Sequence, residues 1–590
     1  MFRFERPRHV SALRARFAST TQGNPVRYAW EAAPCGGEFQ PIVGASAERD
    51  DPRPGEQIVL PRRRSWFFAG VDACAIRLVV SATNGGAPVL EGLQIVDGAA
   101  NVLASADGPR EALDGAYETA WTGEPGSGRW ALTAHLAEPQ TIDRVRLVLG
   151  SDAVSTPRDR RLGRDYAIAR APLSWTLEAS EDGVNYFAVG RPTLAVRRPL
   201  VHVRLAKPVV ALRLSMEGAT NELGLPSPSA SPVVREMEAY AAGDPRPIVA
   251  EPWVLSVNAN PAGSGMGGRG GEVANDVYYA KFLQLRFSEL FHAMRVDDRF
   301  ARAFSPKGEL VDTPLGPSDG RALESIEGDD PQLEERFLVA SWPPPITVLS
   351  GSNDWDYAHK TVVLPKGRLR WNPLRPASEG GMGDLASAVK HRAAPFVGFC
   401  GGAQLLALLE ARTDDGVEEE IDAVLRRNTG RFIRGFAKDD TLIRSWPGDE
   451  KPRRPVTFAI DDPLFADLAG PSRRGRTHGF PESHLDMVRR EAFLPGGPLD
   501  GFEILASSTF CSPAVVATLH THKDASGARC ISVTEAFRSK GGRWPIVGSQ
   551  FHAEQRDFDK PAVGEPPEST ADARLFLAAA YEQVIDAYLR

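Results

Sequence analysis

The chain has 590 residues, too many for one hydrophobic core, so two to four domains are expected. Its apolar content of 42% and charged content of 25% are those of a globular protein, and a net charge of −7 argues against nucleic acid or an anionic membrane as the main partner. No apolar run reaches the length of a membrane span, and the start, Met1-Phe2-Arg3-Phe4-Glu5-Arg6-Pro7-Arg8, has no apolar signal-peptide core. The five cysteines (Cys35, Cys74, Cys400, Cys511, Cys530) are few and not in metal-ligand spacing. A reducing, cytoplasmic compartment is the default reading, with an extracellular or periplasmic one if an N-terminal extension is missing. Cys35 and Cys74 share one region and can pair.

Residues 1–245 read as short alternating strands, among them Trp175-Thr176-Leu177-Glu178-Ala179 and Val210-Ala211-Leu212-Arg213-Leu214. The region repeats itself. Tyr28-Ala29-Trp30-Glu31-Ala32 echoes Leu173 to Ala179, and Ala75-Ile76-Arg77-Leu78 echoes Ala211-Leu212-Arg213-Leu214. Pro7 to Arg14 likewise echoes Pro139 to Arg146. Tandem β-sandwiches are the economical explanation. In the second, Asn101 to Ser105, Leu113-Asp114-Gly115 with Thr119 and Trp121, Gly128-Arg129-Trp130, and Val234-Arg235-Glu236 resemble the discoidin (coagulation-factor type C) fold. The boundaries are a partial discoidin-like sandwich at 1–98, a fuller one at 99–243 and a linker at 244–250. The first unit lacks the Asp-Gly…Thr…Trp opening, and its early strands are expected to pack against a neighbour. The resemblance implies a glycan, or another protein, as partner of the sandwiches. Trp121 and Trp130 read as core packing, and the two oxygens of Asp114 and Thr119 do not make a calcium site.

From Trp253 onward strands and helices alternate, which predicts a parallel sheet in residues 251–590. The glycine-rich run Gly263 to Gly271 lacks the phosphate-loop spacing and reads as a loop. Phe396-Val397-Gly398-Phe399-Cys400-Gly401-Gly402-Ala403-Gln404 is an apolar strand, a cysteine on a glycine-flanked turn, and a helix start. The turn lifts the side chain clear of the sheet, and the helix N-terminus favours its thiolate. About 150 residues on, Pro545 to Glu554 form an apolar strand running into Gln550-Phe551-His552-Ala553-Glu554. His552 can hold a thiol proton and Glu554 can orient the imidazole. Between them lies Glu482-Ser483-His484-Leu485-Asp486-Met487-Val488.

These three pieces, in this order, resemble class I glutamine amidotransferases. The resemblance implies a flavodoxin-like, doubly wound α/β domain. It implies Cys400 as nucleophile, His552 as base and Glu554 as its orienter, with no metal and no cofactor. It assigns the oxyanion to the N–H of Gly401 and a donor near Gly351, and the substrate to Gln404, Ser483 and His484. Ser352, Asn353 and Ala553 depart from the family pattern. His478, His520 and His522 have no matching role, and residues 411–454 form an insert. No synthase accompanies the domain. The expected activity is therefore thiol-dependent hydrolysis of glutamine or a γ-glutamyl amide or peptide. The alternatives are a glutaminase subunit feeding ammonia to a separate synthase, or a glycan-binding or scaffold protein with a degenerate amidotransferase-like domain.

Overall fold

The computed structural model describes residues 1–48, 58–115, 119–150, 153–154, 167–168, 170–190, 200–222, 225–249, 253–257, 295–296, 346–349, 355–356, 361–363, 370–371, 389, 394–411, 425–427, 453–458, 465, 468, 478–481, 486–511, 522–523, 529–542, 544–551, 553 and 567–588. The first unit contains β1 (Phe2–Phe17), β2 (Pro25–Ala33), β3 (Gln40–Glu48), β4 (Arg63–Thr83) and β5 (Leu90–Asp97). They make one antiparallel sheet in the order β3-β2-β4-β1-β5. The 21-residue β4 serves two layers. Its first half pairs with β1 (Arg16↔Arg63, Val10↔Val71) and its second half with β2 (Ala33↔Ala75, Pro25↔Thr83). Between the halves the chain bends at exposed Ala69 and Gly70, where a Cβ on Gly70 would run into the His9 ring. The sheet thus folds over itself, as strands that switch layers do. Trp30 of β2 meets Trp66 of β4 inside the fold, ring centroids 5.5 Å apart, among Val10, Leu13, Tyr28 and Ile42. The partial sandwich is therefore one continuous sheet. Cys35, just beyond β2, forms a disulfide with Cys74 of β4, Cα atoms 4.9 Å apart.

The second unit has two main sheets and a separate β9–β10 pair. Its strands are β6 (Trp121–Thr122), β7 (Arg129–Gln140), β8 (Ile142–Leu149), β9 (Ala153–Val154), β10 (Ala167–Ile168), β11 (Pro172–Ser180), β12 (Phe187–Gly190), β13 (Leu200–His202), β14 (Val209–Thr220), β15 (Pro226–Ser227) and β16 (Val233–Ala241). One sheet runs β12-β11-β14-β15 with β7 also on β14; the other runs β13-β8-β16-β6. Alternate residues of the two meet in one core: Leu132, Trp175, Leu177, Leu212 and Leu214 against Val145, Leu147, Met237 and Ala239. Trp130 is buried in that core with its indole N–H donating to the Glu124 carbonyl at 2.7 Å, and Trp121 packs against it.

The repeat extends to side-chain contacts. In the first unit Arg77 of β4 pairs with Glu31 of β2 (2.5 Å) and lies over the Phe39 ring at 4.2 Å. In the second, Arg213 of β14 pairs with Glu178 of β11 (2.8 Å) and lies over Tyr186 at 3.8 Å. Cross-strand pairs of this kind fix register.

The third unit contains β17 (Trp253–Val257), β18 (Arg295–Val296), β19 (Ile346–Leu349), β20 (Trp355–Asp356), β21 (Thr361–Val363), β22 (Arg370–Trp371), β23 (Phe396–Phe399) and α1 (Gly401–Ala411). It continues with β24 (Leu425–Arg427), β25 (Arg453–Phe458), β26 (His478–Pro481), β27 (Asp486–Val488), β28 (Phe502–Cys511), β29 (His522–Lys523), β30 (Arg529–Ser539), β31 (Ile546–Ser549) and α2 (Pro567–Tyr588). A ten-stranded sheet runs β18-β17-β19-β23-β31-β30-β28-β25-β26, with β29 on β30. The first five strands in that order are parallel and the remainder antiparallel. The expectation of a parallel sheet holds for one half only. Beyond β31, pairs such as β28 and β30 run antiparallel and need no crossover helix.

Helix α2 ties the first unit to the third. Leu575, Phe576, Tyr581 and Ile585 share a core with Phe458, Trp544 and Phe551, and with Ala12, Phe67 and Val96 from the outer face of the folded sheet. At the edge of this contact Arg14 of β1 pairs with Glu582 (2.6 Å) and with Asp586, and the Ser65 hydroxyl donates to Glu582 at 3.0 Å. Burial opposes the Arg14 charge, but the two carboxylates outweigh it and hold the guanidinium above its ordinary value. The stretch read as a linker is anchored: Ile248 is buried with Ala99, Leu200 and Tyr240, and the Ala99 N–H donates to the Pro247 carbonyl at 2.8 Å. Among the described residues no helix is long and apolar enough to cross a membrane.

Candidate functional site

Phe396 to Phe399 are buried throughout, as a parallel strand covered on both faces must be. β23 lies between β19 and β31, with Gly398 opposite Gly548 and Phe399 opposite Ser549. Cys400 follows at φ +50°, a left-handed conformation that costs a non-glycine residue about 1–2 kcal/mol. The surrounding bonds hold it there. The Cys400 N–H donates to the Ser549 carbonyl at 2.7 Å, and the Cys400 carbonyl accepts from the Gln404 N–H at 3.1 Å. Gly398 makes the turn possible: a Cβ there would stand 2.7 Å from Leu406 Cδ1 and 2.8 Å from the Ala403 nitrogen. Cys400 is 4% exposed and is a thiol, at the N-terminus of a helix that is buried along nearly its whole length. The helix N-terminus favours the thiolate, and burial opposes it.

Two buried amides stand beside it. Gln404, in the first turn of α1, donates through Nε2 to Gln550 Oε1 at 3.0 Å. Gln550 directly follows β31, and its backbone N–H donates to the Glu535 carbonyl at 2.7 Å. The Ser549 hydroxyl donates to the Phe551 carbonyl at 3.0 Å, and the Phe551 ring meets Phe576 of α2 at 4.8 Å. The segment after β31 is thus fixed from both sides.

Of the predicted site, Cys400, Gly401 and Gln404 come together at the C-terminal ends of the parallel strands, where open α/β sheets hold ligands. Gly351, Ser483, His484, His552 and Glu554 lie outside the described residues, as does the glycine-rich run at 263–271. β19 ends at Leu349, two residues before Gly351, and β31 ends at Ser549, three before His552. Sequence reading assigned no role to Gln550, although it stands inside the Gln-Phe-His motif.

A second polar cluster lies in the sandwich of residues 99–243. Arg146 of β8 pairs with Glu238 of β16, both buried, and the Tyr240 hydroxyl donates to Glu238 at 2.9 Å. Glu236, on the same strand, is fully buried. The Gly115 N–H donates to its Oε2 at 2.9 Å, and its Oε1 has no partner among the described residues. Burial, then the Glu238 and Asp114 carboxylates, push its carboxyl up to about 10, so it is protonated at neutral pH. The Asp114 carboxylate accepts the Thr119 hydroxyl at 2.9 Å. Among the described residues no group of three or more His, Cys, Asp or Glu side chains could hold a metal ion. Glu236 was missed because Arg235-Glu236-Met237-Glu238 reads as a half-solvated strand.

No family model matches the chain, and no curated protein matches it. Among solved structures, it is similar to chitosan-binding module 1 of the chitosanase/glucanase from Paenibacillus sp. IK-5, at 19% identity over 24% of this chain and 99% of that one, with a TM-score of 0.17. It is also similar to CBM32-3 of a family 31 glycoside hydrolase from Clostridium perfringens, at 14% identity over 22% and 80%, with a TM-score of 0.17. A third, CpGH89CBM32-4 from Clostridium perfringens, matches at 13% identity over 24% and 99%, with a TM-score of 0.18.

Proposed function

We propose that residues 251–590 carry a thiol-dependent hydrolase of glutamine or a γ-glutamyl amide or peptide. The observation that supports it most is the left-handed Cys400 at the β23–α1 turn, a strained backbone kept where a nucleophile would need it. In this reading His552 takes the Cys400 proton and Glu554 fixes the imidazole tautomer. The thiolate adds to the γ-carbonyl carbon, and the oxyanion rests on the Gly401 N–H and a donor near Gly351. The C–N bond breaks, ammonia or an amine leaves with the proton from His552, and a glutamyl thioester remains. Water, deprotonated by His552, then cleaves the thioester and restores the thiol. No metal or cofactor enters. Ser483 and His484 would hold the glutamyl backbone, with Gln404 at the side chain. Release of the ammonia to a separate synthase is the variant of this chemistry that a partner subunit would add.

The test is covalent. An electrophilic diazo-ketone analogue of glutamine should label Cys400 in the wild type and not in Cys400→Ser, and glutamine or γ-glutamyl amines should be turned over. Folded wild-type protein that takes no label at Cys400 would sink the proposal.

A second reading concerns the sandwich of 99–243: that it binds a glycan. Trp130 is buried in its core and Trp121 packs against it, and in this reading the contact is made by the β11–β12 turn, where Val184 is 78% and Phe187 43% exposed beside Tyr186. The similar solved modules include ones named for chitosan binding. A glycan array with wild type and Phe187→Ala tests it: a hit retained by the variant moves the site elsewhere, and no hit removes the reading. The Cys35–Cys74 disulfide supports an oxidising compartment, extracellular or periplasmic, in place of the cytoplasm.

A further inference from the structure

Among the described residues near Cys400, Gln550 has a carboxamide that the chemistry above leaves without a task. It is reached from three directions. β31 delivers it next to Ser549, whose carbonyl accepts the Cys400 N–H at 2.7 Å. The Glu535 carbonyl fixes its backbone N–H. Its Oε1 accepts from Gln404 Nε2 at 3.0 Å, one helical turn from the nucleophile. Gln550 is 0% exposed, and its Nε2 has no partner among the described residues. A buried amide nitrogen has two N–H donors and no acceptor capacity, and leaving them unmade is costly. What satisfies them must be an acceptor, such as a carbonyl or carboxylate oxygen. Gln404 occupies the other end of the amide, so the Gln550 amide cannot turn over alone without losing that bond.

We propose that Gln550 is a substrate-binding residue: its Nε2 donates to a carboxylate or carbonyl oxygen of the glutamyl group held at Cys400, while its Oε1 sets the orientation of Gln404. This rests on the thiol reading of Cys400. One residue thereby ties substrate recognition to the strand that leads to His552. The group selects an oxygen-rich, glutamyl-type substrate over a simple electrophile of similar size.

The experiment compares two reagents on the full chain, with labelling of Cys400 read by peptide mass spectrometry. The glutamine diazo-ketone uses the substrate contacts, whereas iodoacetamide needs only the thiolate. Gln550→Glu keeps the acceptor for Gln404 and removes the amide donors; Gln550→Leu removes both. Melting curves show which variants fold, and where Gln550→Leu does not, Gln550→Glu carries the test. The diazo-ketone rate should fall about 10- to 100-fold, as for a lost bond to a charged group, with the iodoacetamide rate within about 3-fold of wild type. An unchanged diazo-ketone rate overturns the proposal and leaves the thiol reading standing. An equal fall with both reagents also overturns it, assigning Gln550 to support of the turn alone. A wild type that reacts with iodoacetamide but never with the diazo-ketone removes the thiol reading itself.

Discussion

Arg14 and Arg146 occupy equivalent positions in the internal repeat, yet they answer to different partners. Arg146 stays inside its own sandwich, paired with Glu238 on the neighbouring strand. Arg14 reaches out of its sheet to Glu582 and Asp586 on a helix more than 500 residues away in sequence. The same strand position serves once as internal wiring and once as an interface. The surroundings explain the split. The second unit has two main sheets, and the Arg146–Glu238 pair lies inside them. The first is one sheet folded on itself, and its outer face, with Ala12, Phe67 and Val96, is covered by α2. A repeated unit thus keeps its residues and changes what completes them.

The largest expected effect that would break this comparison is Arg146→Met. It leaves Glu238 buried beside Glu236 with its cation gone, and should cost about 3–5 kcal/mol. Urea unfolding gives the size, and hydrogen exchange should place the loss in β8 and β16, leaving β1 and β4 protected. Glu582→Ala is the matching change at the interface. Asp586 still faces Arg14, so about 2–3 kcal/mol is expected. Here exchange should rise in both β1 and α2, sequentially distant but structurally joined. Rises confined to one of them would show that the contact does not couple the units.

A pH-dependent effect sharpens the electrostatic side. Glu236 ionises near its ordinary value when unfolded but only at about 10 when folded. A raised folded value gives stability that is complete below the unfolded pKa and is lost as pH rises toward the folded one. Glu236→Gln should remove that slope. Its melting temperature should match wild type at about pH 4 and exceed it progressively as pH rises toward about 8.5. An unchanged pH profile would mean that Glu236 does not titrate in this window.

Much of this was legible. Period-two alternation in Arg129–Gln140 places Trp130, Leu132 and Ala134 inside, and they are buried. The glycines around Cys400 announced a tight turn, and Gly398 is indeed where a side chain would collide with α1. Three things were not legible. The 21-residue β4 reads as an ordinary strand, because a bend between layers leaves no mark beyond one glycine. The antiparallel half of the large sheet was read as parallel, because strand direction depends on pairing that local sequence does not encode. Glu236 and Gln550 are polar residues whose meaning comes only from what buries them, and neither carries a periodic signal.

The outer face of the folded sheet has a consequence for the order in which the protein is made. β1 and β4 emerge from the ribosome about 500 residues ahead of the helix that covers Ala12, Phe67 and Val96. At the usual ~5–20 residues per second that is a wait of roughly 25–100 s. Through that interval the nascent chain carries an apolar patch and a partly buried arginine with no counter-charge. The first unit is therefore the part of the chain whose apolar face waits longest for its cover, and α2 is the segment that supplies it.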